Sequence, residues 1–236
     1  ANTLARLSHP GVTALFDAGE LDDGSLFLVM ERLDGANLAT FLARDGRGSP
    51  AQVGQLARQA GSALAAAHHA GVVHRDLKPE NLVLSSASGS LRVKVVDFGL
   101  ARAEEAGRGL TRTGTIVGTP AFMAPEQVAD GELTAATDVY ALAAVVWEAL
   151  TGQRLVQAEA VGAIFTEILN APAPPPSRFR PALPATVDGL LLVALAKEPR
   201  QRPADAEEWG RRIADALEGL PPEGSGWRLE RRATEV

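Results

Sequence analysis

Between His74 and Asn81 the chain reads His-Arg-Asp-Leu-Lys-Pro-Glu-Asn, which sets an acid (Asp76), a cation (Lys78) and an amide (Asn81) at tight spacing. Sixteen residues after Asn81 comes Asp97-Phe98-Gly99, directly behind the apolar run Leu91 to Val96. Each piece has an ordinary explanation, since Asp76 can cap a turn and Lys78 can sit in solvent. Both together, in this order, fit the signature of phosphoryl transfer, in which alignment and electrostatic stabilisation count for more than a strong base.

The elements that must position these groups are legible around them. Ala51 to Ala70 places Val53, Leu56, Ala60, Leu64 and Ala67 at spacings of three and four, which predicts a helix of about five turns by the 3.6-residue period, ended by Gly71. Upstream, Leu4 to Ser8 reads as the end of a helix. Val12 to Asp17 and Ser25 to Glu31 are short apolar segments joined by Asp22, Asp23 and Gly24, the pattern of a hairpin or adjacent strands. Asn37 to Ala43 predicts a short helix stopped by Gly46, Gly48 and Pro50. Leu82 to Leu84 and Leu91 to Val96 are further apolar runs, and Ala103 to Thr119 loses periodicity and reads as an exposed mobile loop. Thr134 to Leu150 predicts a buried helix, apolar almost all round. Ala158 to Leu169, Val187 to Ala196 and Ala204 to Leu217 continue the helical series, with Pro172 to Pro176 as a stiff linker. Strands cluster early and helices late, an α+β pattern of a mainly helical domain preceded by a fragment of sheet.

Composition narrows the partners. The chain has 236 residues, 46% apolar and 22% charged, with a formal charge of −6. That balance, and the lack of any Lys/Arg run, implies no nucleic-acid partner. The basic residues are twenty Arg and three Lys, Lys78, Lys94 and Lys197. With no cysteine there is no disulfide framework and no thiolate metal site. The longest apolar stretch, Val139 to Val146, is far short of the roughly 20 residues of a membrane span.

On the segments His74 to Asn81 and Asp97 to Gly99, the chain resembles the protein-kinase family, and more narrowly the eukaryotic-like bacterial serine/threonine kinases. The resemblance covers residues 1 to about 217. It implies a kinase-like α+β fold with a complete, mainly helical C-terminal lobe and only the last part of the N-terminal lobe: 1–33 as remnant and hinge, 34–217 as C-lobe, 218–236 as flexible tail. It implies ATP and magnesium as cofactors and a protein as substrate. Asp76 then resembles the aspartate that accepts the substrate hydroxyl proton, Lys78 the cation that neutralises the transferred phosphoryl group, and Asn81 and Asp97 the oxygen ligands of magnesium. Gly118-Thr119-Pro120 resembles the serine/threonine branch, with Thr119 contacting Asp76 and Lys78; the local alternative is a turn residue. Met30 resembles the gatekeeper, Glu31 to Leu33 the hinge that meets adenine, and Val83 the residue beneath the base, although a core strand and a plain crossover look the same.

Further roles follow from the same resemblance. Thr115 matches the principal activating phosphosite, with Thr111 and Thr113 as secondary candidates and Arg75 and Arg102 as cationic receivers. Leu4, Leu15, His74 and Phe98 match a stacked internal spine. Glu126 is expected to pair with Arg202, and Asp138 to hold the backbone of the catalytic loop, an N-cap being its local alternative. His68 and His69 are too weak a signal for metal.

One half of the family's machinery has no candidate. No Gly-x-Gly-x-x-Gly precedes Glu31, and the first lysine is Lys78. Register from Leu7-Ser8-His9-Pro10 places the missing helix glutamate immediately before Ala1. The expectation is a cropped serine/threonine kinase, weak or inactive as this piece alone; the alternative is a naturally shortened pseudokinase acting as a scaffold. Unpaired early strands call for self-association or a partner covering them. The expected location is cytoplasmic, with any membrane anchor in regions absent here.

Overall fold

The computed structural model describes residues 7–87, 89–98, 120–222 and 226–229. The early apolar segments form an antiparallel ribbon of β1 (Leu15–Glu20) and β2 (Leu26–Met30). Its turn is fixed by the Leu21 N–H donating to the Ser25 carbonyl at 2.8 Å and the Ser25 N–H donating to Asp23 Oδ1 at 2.8 Å. Phe16, Leu28, Val29 and Met30 all stay at least 39% exposed, so the ribbon contributes little to the core.

A second sheet has the order β3 (Ala36–Asn37), β4 (Leu82–Ala87), β5 (Ser90–Val95). Asn37 ends β3 and caps α1 (Leu38–Asp45), its side chain accepting from the Thr40 N–H. Gln59, on α2 (Pro50–His69), closes the free edge of β5 by donating to the Leu91 carbonyl and accepting from the Val93 N–H at 2.9 and 3.0 Å. The start of α2 is set by Ser49 and Gln52 in a reciprocal capping box with Pro50 in the first turn.

The core is organised on α4 (Ala135–Thr151), whose Val139, Leu142, Val145 and Val146 have no exposed surface. It packs against α2 and α6 (Ala185–Ala194), the short α3 (Pro125–Val128) meets α5 (Val161–Asn170), and α7 (Ala206–Leu217) packs on α2 and α6. Helices α2 and α7 pack backbone to backbone at two glycines. A Cβ on Gly61 would lie 2.4 Å from the Ala206 carbonyl oxygen, and one on Gly210 2.3 Å from that of Ala57.

The flexible-tail expectation for 218–236 fails at 226–229. Trp227 is only 3% exposed. Its ring lies 6.5 Å from Phe41, its N–H donates to Gln52 Oε1 at 2.9 Å, Gln52 Nε2 donates back to its carbonyl at 2.7 Å, and its Nε1 donates to the Gly46 carbonyl at 3.0 Å. Arg228 brackets Asp45 with its guanidinium and its own N–H. Glycine, proline and charge dominate the segment, but one aromatic with satisfied polar edges outweighs them. The strap enters through Gly226 at φ +60°, where a Cβ would also meet Gln52 Oε1 at 2.4 Å. Gly226→Ala should therefore cost about 1–2 kcal/mol, seen as a fall in Tm of roughly 2–8 °C by scanning calorimetry.

Candidate active site

Helix α2 delivers the chain through Gly71 to the loop that carries Asp76. His74 has no exposed surface. Its Nδ1 accepts the Asp76 N–H at 3.3 Å, which leaves Nε2 to donate to the Val96 carbonyl at 2.9 Å, and its ring lies 4.7 Å from Phe98. Burial pushes the imidazole's pKa down, so it is a neutral packing group. Asp138, in the first turn of α4 and fully buried, accepts the His74 N–H at 2.8 Å and the Arg75 N–H at 2.9 Å, with His68 Nε2 2.7 Å from the same carboxylate. The N-cap of that helix is Thr134.

Arg75 and Asp97 both sit at positive φ, +68° and +57°. Such conformations cost on the order of 1–3 kcal/mol and persist where neighbours over-determine them. At Arg75 the neighbours are visible, because Asp138 takes its N–H and Gln127 Nε2 donates to its carbonyl at 2.7 Å. Lys78 Nζ donates to Asp76 Oδ2 at 2.7 Å, and Asn81 Nδ2 donates to the Asp76 carbonyl at 2.7 Å. The Val96 N–H donates to the Asn81 carbonyl at 3.0 Å, which brings the exposed Asp97 alongside. Asp76, Lys78, Asn81 and Asp97 thus belong to one locality. Among the described residues no group of three or more His, Cys, Asp or Glu could hold a metal.

The crossover after β2 is a separate patch. Met30 is 39% exposed. The Glu31 N–H donates to the Ala14 carbonyl at 3.0 Å, while its carboxylate accepts the Ala14 N–H at 2.9 Å and pairs with Lys94. Burial pushes the Glu31 carboxyl up, but the bonds from Lys94 and Ala14 outweigh it and hold the group below its usual value. Among the described residues neither the Glu31 carbonyl nor the Leu33 N–H has a hydrogen-bond partner. Glu31, Leu33 and Val83 line a cavity of about 660 Å³, whose walls do not include Asp76, Asn81 or Asp97.

A buried ion pair joins Glu126 of α3 to Arg202. Arg202 Nη1 and Nη2 donate to the two Glu126 oxygens at 2.7 and 2.8 Å, and Thr137 Oγ1 adds a third bond at 2.8 Å. The rest of the guanidinium bonds the carbonyls of Ala136, Ala196 and Lys197 and lies 4.9 Å from the Tyr140 ring centre.

Two carboxylates stand out that no motif points to. Oε2 of Glu80 and Oε2 of Glu148 are shielded from solvent without a hydrogen-bond partner among the described residues. Burial, with the like charge of Glu80 and against the pull of Arg154, raises Glu148 to about 7. The visible signal was a lone acid ending the apolar run of α4. A carboxyl whose native pKa lies above its unfolded value costs stability as pH rises from the unfolded toward the native value, and the cost is complete above it. Wild type should lose up to roughly 3 kcal/mol between pH 4.5 and 8 from this group, and Glu148→Gln should flatten the urea-unfolding profile over that range.

Other candidates fall elsewhere. Leu15 is half-buried at the start of β1 and outside the core cluster. Leu4, Arg102, Thr111, Thr113, Thr115 and Thr119 lie outside the described residues, as do Gly99 and Gly118.

A mainly helical lobe around a buried helix, a small sheet, and the His74–Asn81 loop fastened to that helix define the protein-kinase class. The protein kinase domain model matches residues 1–211, and the chain belongs to that family, in its eukaryotic-like bacterial serine/threonine branch. It is 39% identical over 218 residues to serine/threonine-protein kinase PknD of Mycobacterium tuberculosis, covering 92% of this chain and 32% of PknD. Serine/threonine-protein kinase pkn3 of Myxococcus xanthus is 37% identical over 213 residues, with 88% of this chain and 39% of pkn3 covered. The crystal structure of the Mycobacterium tuberculosis PknI kinase domain superposes with a TM-score of 0.71 at 29% identity, covering 91% of this chain and 75% of that one. The chain spans between 32% and 39% of the length of these two curated relatives.

Proposed function

We propose that this chain carries the acceptor and metal side of an ATP-dependent transfer of the γ-phosphoryl group to serine or threonine hydroxyls of a protein. The carrying observation is the fastening of the Asp76 loop: Asp138 holds its backbone, and Asn81 and Lys78 bond Asp76 from two sides. Asp76 orients the incoming hydroxyl and takes its proton, and Lys78, 2.7 Å away, offsets charge on the group in transit.

The donor set fits magnesium, a hard ion that keeps several waters and takes one or two protein oxygens beside phosphate. With Asn81 Nδ2 committed to the Asp76 carbonyl, the amide oxygen is left for a cation, and Asp97 adds a carboxylate. The bound ion supplies charge neutralisation on phosphate oxygens. The unpaired Glu31 carbonyl and Leu33 N–H match the donor and acceptor edge of adenine, with Met30 beside it and Val83 beneath. Thr119, and phosphorylation at Thr115 with Thr111 and Thr113 as further sites and Arg75 and Arg102 as receivers, belong to the same reading. A reaction that draws on ATP fits a cytoplasmic location; among the described residues no helix is long and apolar enough to cross a membrane.

The test is transfer of radiolabelled γ-phosphate to a protein acceptor by the complete reading frame that contains these residues. Magnesium-dependent phosphoserine or phosphothreonine is expected, and absence of both transfer and ATP binding would sink the reading. The apolar β1–β2 ribbon further supports self-association or a covering partner. If the ribbon self-associates, sedimentation of residues 1–236 should give concentration-dependent masses above 24.7 kDa, and a strict monomer across the micromolar range would refute self-association.

A further inference from the structure

The cavity beside the crossover is larger than an adenine edge requires, and most of its wall belongs to elements without a part in phosphoryl transfer. Arg58 of α2, Arg92 of β5 and Arg211 of α7 converge on it. The wall holds five cations, Arg32, Arg58, Arg92, Lys94 and Arg211, against three carboxylates, Glu31, Asp34 and Glu207, whereas the whole chain has a charge of −6. Lys94 is matched by Glu31 and Arg32 by Asp34, and Glu207 accepts the Ser62 hydroxyl at 3.0 Å. Asp215, off the wall, is shared by Arg58 Nη2 and Arg211 Nη1 at 2.8 and 3.1 Å. Each of those arginines spends a single nitrogen there, and both side chains keep about half their surface exposed, 54% and 55%. Arg92 is exposed, and its side chain has no hydrogen-bond or ion-pair partner among the described residues.

We propose that this cavity is a second ligand site, behind the crossover, for a phosphate monoester. A guanidinium presents five N–H donors in a planar fork that suits phosphate. The unspent nitrogens of Arg58 and Arg211 and all of those of Arg92 exceed what one carboxylate's two oxygens can take. A phosphate monoester offers three terminal oxygens and close to two negative charges. The cavity's 660 Å³ leaves room for what the phosphate is attached to, within the roughly 300–1,000 Å³ of ordinary ligand pockets. Nothing in the site depends on Asp76, Asn81 or Asp97, while Glu31, Leu33 and Val83 on its wall are shared with the proposed adenine edge.

The experiment is fluorescence anisotropy, without nucleotide, of a labelled phosphothreonine peptide, with its unphosphorylated form and inorganic phosphate as competitors. The phosphorylated peptide should bind at least about tenfold more tightly than the plain one, with an affinity that falls as salt rises. Arg92→Gln should weaken binding about tenfold and Arg92→Lys less, because a lysine keeps the charge and loses the fork. Asp76→Asn should leave binding unchanged, which separates this site from the catalytic loop. Displacement by inorganic phosphate at the peptide's own affinity supports the site with a free anion as ligand, and displacement only by the phosphopeptide supports a protein-borne one. Equal affinity for both peptides overturns the proposal. So does an Arg92→Gln variant of unchanged Tm that binds like wild type.

Discussion

Asp76→Asn should lower the rate of phosphotransfer by about 10²–10⁴-fold while leaving the KM for ATP within about twofold. The side chain is 44% exposed and, among the described residues, its carboxylate accepts one bond, from Lys78, which the amide oxygen of Asn can also accept. Shape and the Lys78 contact are therefore kept, and the lost property is the ability to take a proton and to orient a hydroxyl through a charged oxygen. The loop's anchors do not pass through that carboxylate, because Asp138 grips the backbone of His74 and Arg75 and Asn81 bonds the Asp76 carbonyl. The melting temperature should consequently stay within about 2 °C of wild type, since surface substitutions away from such anchors are usually within about 0.5 kcal/mol. Single-turnover transfer by the complete reading frame, read with a melting curve on the same preparation, is the measurement. A variant that transfers within tenfold of wild type would remove Asp76 from the chemistry and leave the Lys78 contact as a surface ion pair.

Much of this locality was legible because chemistry and periodicity fall on contiguous residues. The helix read over Ala51 to Ala70 is observed as Pro50–His69, since an apolar stripe at spacings of three and four can bury only one way. Glu126 and Arg202, seventy-six positions apart, were paired only through the family's pattern; their bond is a property of the folded chain that no local spacing contains. The parts missed share that character. Strand β3 is two residues long, Ala36 and Asn37, with no alternation to detect, and exists because Val83 and Leu84 pair with it. Lys94 reads as a solvated strand lysine until the crossover brings Glu31 onto it. Trp227 was submerged in glycine, proline and charge, whereas a lone tryptophan is itself a hint of a docking point. The crossover residues Glu31 and Leu33 do meet Val83 of β4 at one cavity, yet the largest share of its wall comes from α2, β5 and α7, which sequence spacing cannot bring together.

Arg202→Met should destabilise the lobe by about 3–5 kcal/mol, a fall in Tm of roughly 6–20 °C, whereas Glu126→Leu combined with Arg202→Met should recover most of the loss. Arg202 has no exposed side-chain surface and Glu126 has 7%, so removing one partner leaves a charge out of water with no counter-ion. Removing both leaves a volume that apolar side chains can fill, at the expense of the carbonyls of Ala136, Ala196 and Lys197, which lose a donor. That residual cost keeps the double variant below wild type by about 1–2 kcal/mol. The pH dependence has a definite sign. Burial pushes the Glu126 carboxyl up, but Arg202, the local backbone and Thr137 outweigh it and hold its pKa below the usual 4.5. A depressed native pKa stabilises the fold above the unfolded value, and that stability is lost as pH falls through the native value. Wild type should therefore lose this contribution below about pH 4.5, an arm that Glu126→Gln should lack and that is opposite in sign to the Glu148 effect at higher pH. Because Thr137 and Asp138 are neighbours in α4, loosening Glu126 also loosens the turn that carries Asp138. Arg202→Met should then slow phosphotransfer even below its lowered Tm, and an Arg202→Met enzyme that is destabilised but fully active at low temperature would show that Asp138 holds the loop without help from the buried pair.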